Sequence, residues 1–343
     1  MKKVVSLILT LAILGLMIAG CSSNSSTSPT PSTPSTPSTP STSSTPSTSS
    51  TPSPSTDYPT KPIEIINPSA AGGETDIYGR LFARYMEKEL GQPLVTVNMA
   101  GGGGTISTNE VDNSDPDGYR VLTFHNGFLI NNLMGLSKLD VDSFEVSAIP
   151  IVDATQMFFA SSKAPYNDIK GLVDYVKAGN SVNVATEVGS FTHFQLLALE
   201  EEAGVKFNIV DAGTTPEKIT ALLAGNIDVM GTNYATGKDY VANGDFKPLG
   251  LLSTERNSAF SDIPTFKEQG YDIVFDKFFF FAFPKGTDKA IVKRFNDAAV
   301  AVGKNPEFIA ETKKYYASSP AMTADEAYTY MKKIQENYAS LAK

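Results

Sequence analysis

The chain has 343 residues, 41% of them apolar and 19% charged, with a formal net charge of −9. An acidic chain of this size is poorly suited to nucleic acid and long enough for two lobes with proper cores. One cysteine and two histidines exclude a disulfide framework and a histidine-rich zinc centre, so no metal and no cofactor is expected.

Lys2 and Lys3 open the chain, and an apolar run follows from Val4 to Ala19. The run is short for a membrane span and ends in polar sequence, which predicts a cleaved leader over residues 1–20. Ile18-Ala19-Gly20-Cys21 resembles a lipobox, with small residues just before the thiol. Cys21 is therefore expected to carry a diacylglyceryl group, and two acyl chains hold a protein to a bilayer where one does not. Residues 21–57 form an acylated cysteine and a Ser/Thr/Pro linker without large apolar residues. Such a stretch cannot bury enough surface to offset its ordering entropy. Its prolines favour an extended stalk of roughly 3 Å per residue, up to about 100 Å of reach. That length suits a thick wall, so a Gram-positive surface is expected rather than a periplasm.

Ile63 to Asn67 is a β-branched run that predicts a strand. The loop Pro68 to Asp76 leads into helical spacing at Ile77, Leu81, Phe82, Tyr85, Met86 and Leu90. Thr75 or Asp76 is expected to cap that helix and Gly91 to end it. Leu94 to Val97 predicts a strand, then come Gly101 to Gly104 and a helix over Thr105 to Val111. The four glycines lack the Gly-Lys-Ser/Thr ending of a phosphate-binding loop. They read as a turn with exposed amides available to a ligand. A strand over Val121 to Phe124 places His125 and Asn126 at its end.

The pattern then repeats. Val182 to Thr186 is a strand, Glu187 to Thr192 a loop, and a helix runs to Gly204. Phe207 to Val210 is a strand, the loop Asp211 to Pro216 starts a helix ended by Gly225, and Ile227 to Met230 is a strand. Glu200, Glu201 and Glu202 read as a solvated helix face. Phe278 to Phe281 with Phe283 read as a fully buried strand. This alternation predicts an α/β protein of two lobes, each a mainly parallel sheet flanked by helices. In such sheets the ligand crevice lies at the carboxyl ends of the strands, where helix N-termini present unpaired amides to an anion.

At these loops the chain resembles the substrate-binding proteins of tripartite tricarboxylate transporters, the Bug family. The resemblance opens with Tyr58-Pro59-Thr60-Lys61-Pro62-Ile63 and Gly72-Gly73-Glu74-Thr75-Asp76. It continues through Leu90-Gly91-Gln92-Pro93, Gly103-Gly104-Thr105-Ile106 and Asp115-Pro116-Asp117-Gly118-Tyr119. Gly189-Ser190 with His193, Leu223 to Asp228, Asp262-Ile263-Pro264-Thr265 and Pro284-Lys285-Gly286-Thr287 complete it. No single motif is specific; the ordered set is. It implies a two-lobed, periplasmic-binding-protein-like clamshell of type II character with two crossover hinge strands. It also implies capture of a small organic carboxylate and delivery to membrane permease subunits.

By the resemblance, the ligand is held by Ser69, Ala70, Gly72, Gly73 and Thr75 on one lobe, and by Thr186, Gly189, Ser190 and His193 on the other. Backbone amides near Gly72–Gly73 and Gly189–Ser190 are expected to converge on one carboxylate. Asp76, His125, Asn126, Gly213 and Asn233 join the candidate set. Ala71 stands where the family usually has proline and Glu74 where it usually has a third glycine; a bare carboxylate there repels an anion. Lobe one is expected over 58–155 and 277–343, and lobe two over 156–276. Crossings are expected near Asp153 to Phe158 and Asp276 to Phe280. A monomer is expected. Two other functions compete: a ligand sensor that signals to a receptor, and a cell-wall hydrolase or esterase using Ser190 and His193. The segment lacks a Gly-x-Ser-x-Gly elbow, and binding rather than catalysis is expected.

Overall fold

The computed structural model describes residues 57–341. Cys21, the leader and almost all of the linker lie outside the described residues. In chain order the elements begin β1 (Ile63–Asn67), α1 (Glu74–Leu90), β2 (Leu94–Asn98), α2 (Thr105–Asp112), β3 (Arg120–His125) and α3 (Gly127–Leu133). They continue β4 (Phe144–Asp153), β5 (Gln156–Ser161), α4 (Ile169–Lys177), β6 (Asn183–Thr186), α5 (Phe191–Ala203) and β7 (Asn208–Asp211). Then follow α6 (Thr215–Ala224), β8 (Val229–Asn233), α7 (Tyr234–Ala242) and β9 (Phe246–Leu251). The chain ends with β10 (Lys277–Pro284), α8 (Lys289–Lys304), α9 (Pro306–Lys314) and α10 (Ala324–Leu341).

Two five-stranded sheets result, ordered β2-β1-β3-β10-β4 and β7-β6-β8-β5-β9. In the first, β1 runs parallel to β2 and β3, while β10 is antiparallel to β3 and β4. In the second, β6 runs parallel to β7 and β8, while β5 is antiparallel to β8 and β9. The sheets are thus mixed rather than mainly parallel, and the reason is local. Strands of the βαβ units end at the cleft. The chain enters each sheet from the other at β5 and β10, so these two strands start at the cleft and must run the opposite way.

Glycines close the helices as the sequence suggests. Gly91, Gly204 and Gly225 are left-handed at the ends of α1, α5 and α6. The start of α1 differs from the expectation. Its N-cap is Gly73 without a side-chain cap, and Thr75 and Asp76 lie inside the first turn. Asp76 instead folds back, accepting from the Gly72 N–H at 2.9 Å and from Asn98 and Arg80. Glu200 is not solvated: it is 4% exposed and accepts from the Phe207 N–H and the Lys206 ammonium. Only Glu201 and Glu202 are exposed.

Every residue of β10 is buried. Phe279, Phe281 and Phe283 enter one apolar cluster with Phe82 and Phe295; Phe278 and Phe280 enter another with Phe128 and Met331. Burying each ring contributes about 2 kcal/mol, so this central strand anchors both faces of its sheet. The C-terminal helix α10 reaches the other lobe, where the Tyr338 ring meets Phe194 and Phe275 at 5.5 and 5.4 Å.

Candidate functional site

Between the sheets lies a cavity of about 80 Å³. A water needs roughly 10–15 Å³ of such space, so the cavity suits several waters or one small solute. The first residues of three helices line it: Glu74 and Thr75 of α1, Phe191 and Thr192 of α5, and Thr215 of α6. Starting residues of a helix carry amides without intrahelical acceptors and a partial positive charge.

Five of the sequence candidates stand on the cavity wall: Ser69, Gly73, Thr75, His125 and Ser190. The others do not line it. Thr186 bonds through its hydroxyl to Thr192 at 2.8 Å and Ser190 at 3.1 Å. His193 accepts the Gly189 N–H on Nδ1 at 2.9 Å, and burial pushes its pKa down. Gly213 sits in a turn donating to Asp211. Ala70 offers its carbonyl to Gly73, and Gly72 is exposed.

Asn126 and Asn233 lie away from the wall, each at one crossing between the sheets. Asn126 donates to the Asp276 carbonyl and the Tyr338 hydroxyl and accepts from the Phe278 N–H. Asn233 caps α7 and donates to Asp153 at 2.7 Å, while Asp153 also accepts from the Tyr78 and Thr155 hydroxyls. Buried polar groups at a crossing need partners, and these side chains supply them.

The amides of Gly72, Gly73, Gly189 and Ser190 themselves are bonded within the protein. Gly72 N–H donates to Asp76, Gly73 N–H to the Ala70 carbonyl, Gly189 N–H to His193 and Ser190 N–H to the Glu187 carbonyl. These four amides hold their own turns, and the first helical residues on the wall present further amides to the cavity.

The glycine run contributes differently. Gly103 and Gly104 reach the wall, and the Gly103 N–H donates to Glu187 at 3.0 Å, joining a loop of one sheet to a loop of the other. Gly104 has φ +95°, and a Cβ there would lie 2.2 Å from the Phe124 ring. Only glycine fits.

Charge on the wall comes from residues the sequence reading did not select, apart from Glu74. The Glu74 carboxylate meets the Lys277 ammonium at 2.5 Å and accepts from Gln156 at 2.9 Å. Burial pushes the Glu74 carboxyl up, and Lys277 opposes this. Glu74 is thus neutralised by the protein itself. Lys218, 4% exposed, has no hydrogen bond or ion pair from its ammonium among the described residues. Burial and then the Lys277 charge push it down to about 8. The Thr232 hydroxyl, also on the wall, is buried without a partner among the described residues. His125 accepts the Gly127 N–H on Nδ1, which places its own proton on Nε2. The rings of Phe124, Phe191 and Phe279 surround it, and burial with the two lysine charges holds it neutral, well below the usual histidine range.

A faint signal for the lysines was present. Lys218 falls four residues before Leu222, and these two are the buried positions of α6. Lys277 opens a strand whose every other member is apolar.

Ser190 and His193 do not form a nucleophile–base pair. Ser190 Oγ accepts from the His193 backbone N–H at 3.4 Å and serves as the cap of α5, while the imidazole Nδ1 is taken by Gly189.

Two mixed sheets flanked by helices with a cavity between them define the two-lobed periplasmic binding protein fold. The model of the tripartite tricarboxylate transporter family receptor matches residues 79–342, and the chain belongs to that family. Protein BugT of Bordetella pertussis is 27% identical over 300 residues, covering 83% of this chain and 91% of BugT. The solved periplasmic binding protein BugD is 28% identical with a TM-score of 0.76, covering 83% of this chain and 97% of BugD. MatC of Rhodopseudomonas palustris, solved with bound malate, shares the fold at 23% identity with a TM-score of 0.78, covering 83% of this chain and 100% of MatC.

Proposed function

We propose that this protein is an extracytoplasmic, lipid-anchored receptor. It captures one small organic carboxylate between two lobes and hands it to the permease of a tripartite tricarboxylate-type transporter. The carrying observation is the cavity lined by three helix starts, with the buried Lys218 side chain on its wall making no hydrogen bond or ion pair among the described residues. Membership of the transporter receptor family supports delivery to a permease. The lobes are 58–155 with 277–343 and 156–276, turning about the crossings at Asp153–Gln156 and Asp276–Lys277. Closure buries the ligand and sets the surface the permease meets. The protein acts as a monomer and carries out no chemistry.

The anchor is Cys21, and residues 22–56 are the stalk. Bug relatives come from Gram-negative bacteria, so the reach of the stalk, and not kinship, favours a thick-walled surface. In cells, Cys21→Ala is expected to abolish labelling by a fatty-acid probe; a variant that still labels overturns the anchor.

Native mass spectrometry of gently purified protein tests the function. The expected result is a retained organic acid, released unchanged on denaturation. Steady turnover of esters, lost in Ser190→Ala, would replace the receptor with a hydrolase.

A further inference from the structure

The charges on the cavity wall specify more than an anion. Glu74 and Lys277 form a buried pair whose total charge is zero whichever partner holds the proton. The second Glu74 oxygen is occupied by Gln156. That leaves Lys218 as the one deeply buried charged group on the wall with no hydrogen bond or ion pair from its side chain among the described residues. A buried ammonium is poorly solvated, and its environment gains most from an opposite charge brought to it. The unpartnered Thr232 hydroxyl and the His125 Nε2–H offer neutral hydrogen bonds in the same space. Glu187, also on the wall, presents a carboxylate that already accepts the Gly103 N–H. A second or third anionic group on a ligand would find no other unpaired buried cation on the wall and would share the cavity with the Glu187 carboxylate.

We infer that Lys218 contacts the ligand directly, and that the site takes a monocarboxylate whose remaining polar groups are neutral, such as a hydroxy or oxo acid. This rests on the carboxylate-receptor reading above. It differs from carboxylate capture by loop amides alone, since the amides of Gly72, Gly73, Gly189 and Ser190 are bonded within their own turns.

Calorimetry at pH 7 with the ligand-free protein tests it. The probes are lactate, 2-oxobutyrate and 4-hydroxybenzoate against malate, adipate and citrate. A monocarboxylate is expected to bind most tightly, and Lys218→Met to weaken it at least tenfold while the variant melts no lower than wild type. Tightest binding of malate, adipate or citrate overturns the single-charge assignment. Unchanged affinity in folded Lys218→Met overturns the contact. A Lys218→Met protein that melts lower shows the ammonium is held by protein groups and overturns it too. If no carboxylate binds wild type, the receptor reading itself fails, and this inference with it.

Discussion

Lys218 gives the cavity a pH dependence whose sign follows from its surroundings. Lys277 faces it as a like charge, and Glu187, Glu74 and Asp211 oppose that effect less than burial adds to it. With a folded pKa of about 8 against an unfolded value near 10.4, the unfolded chain holds an extra proton between those limits. Stability therefore rises with pH across that window as the buried charge is lost. Urea unfolding of ligand-free protein should show wild type gaining about 1.6 kcal/mol on Lys218→Met between pH 8 and 9.5. Anion affinity should fall over the same range. His125, held neutral in the fold but protonated in the unfolded chain, should make stability rise with pH between about 5 and 7 while leaving anion affinity there unchanged. Gly73 makes a different point. Its amide is already bonded, but a Cβ there would meet the Ala70 carbonyl at 3.1 Å and Ser69 at 3.4 Å. Gly73→Val should shift the loop that carries Ser69 and cut affinity at least tenfold, a loss of about 1.4 kcal/mol. Circular dichroism should stay native. Wild-type affinity in a folded variant would place the ligand elsewhere.

At the scale of elements, the crossings depend on single buried side chains. Asn126 satisfies the Asp276 carbonyl and the Phe278 N–H where the chain returns to the first sheet. Asn126→Ala leaves both unpaired, at about 1–3 kcal/mol each. Hydrogen exchange should speed up at Phe278 and its neighbours and stay unchanged in β6 and β8. Equal acceleration in both sheets would mean that Asn126 supports global stability and not this crossing. The sequence reading found Asn126 because it follows a strand end beside His125. A ligand contact and a clamp between strands ask for the same amide group, and the clamp is the role its bonds show.

At the scale of the two sheets, one contact joins loops far apart in the chain. Glu187 accepts the Gly103 N–H across the cleft. Removing a charge-assisted bond of roughly 1.5–3 kcal/mol should favour the open form. Small-angle scattering of ligand-free Glu187→Ala should give a larger radius of gyration than wild type. An unchanged radius would show that closure rests on other contacts.

Local signals were enough for the alternation of strands and helices, the glycine stops at Gly91, Gly204 and Gly225, the buried phenylalanine strand, and the loops that meet at the cavity. These follow from periodicity and backbone preference, which act over a few residues. Tertiary structure alone decided the antiparallel direction of β5 and β10, because direction depends on which edge of the cleft the chain crosses from. It alone turned Lys218, Lys277 and Glu74 into one site. A lysine near a helix start reads as a surface charge until another lobe covers it, and no local pattern states what will cover it. The same holds for the amides of Gly72, Gly73, Gly189 and Ser190. Whether a loop N–H is free for a ligand depends on where its own neighbours fold, and here they fold back onto it.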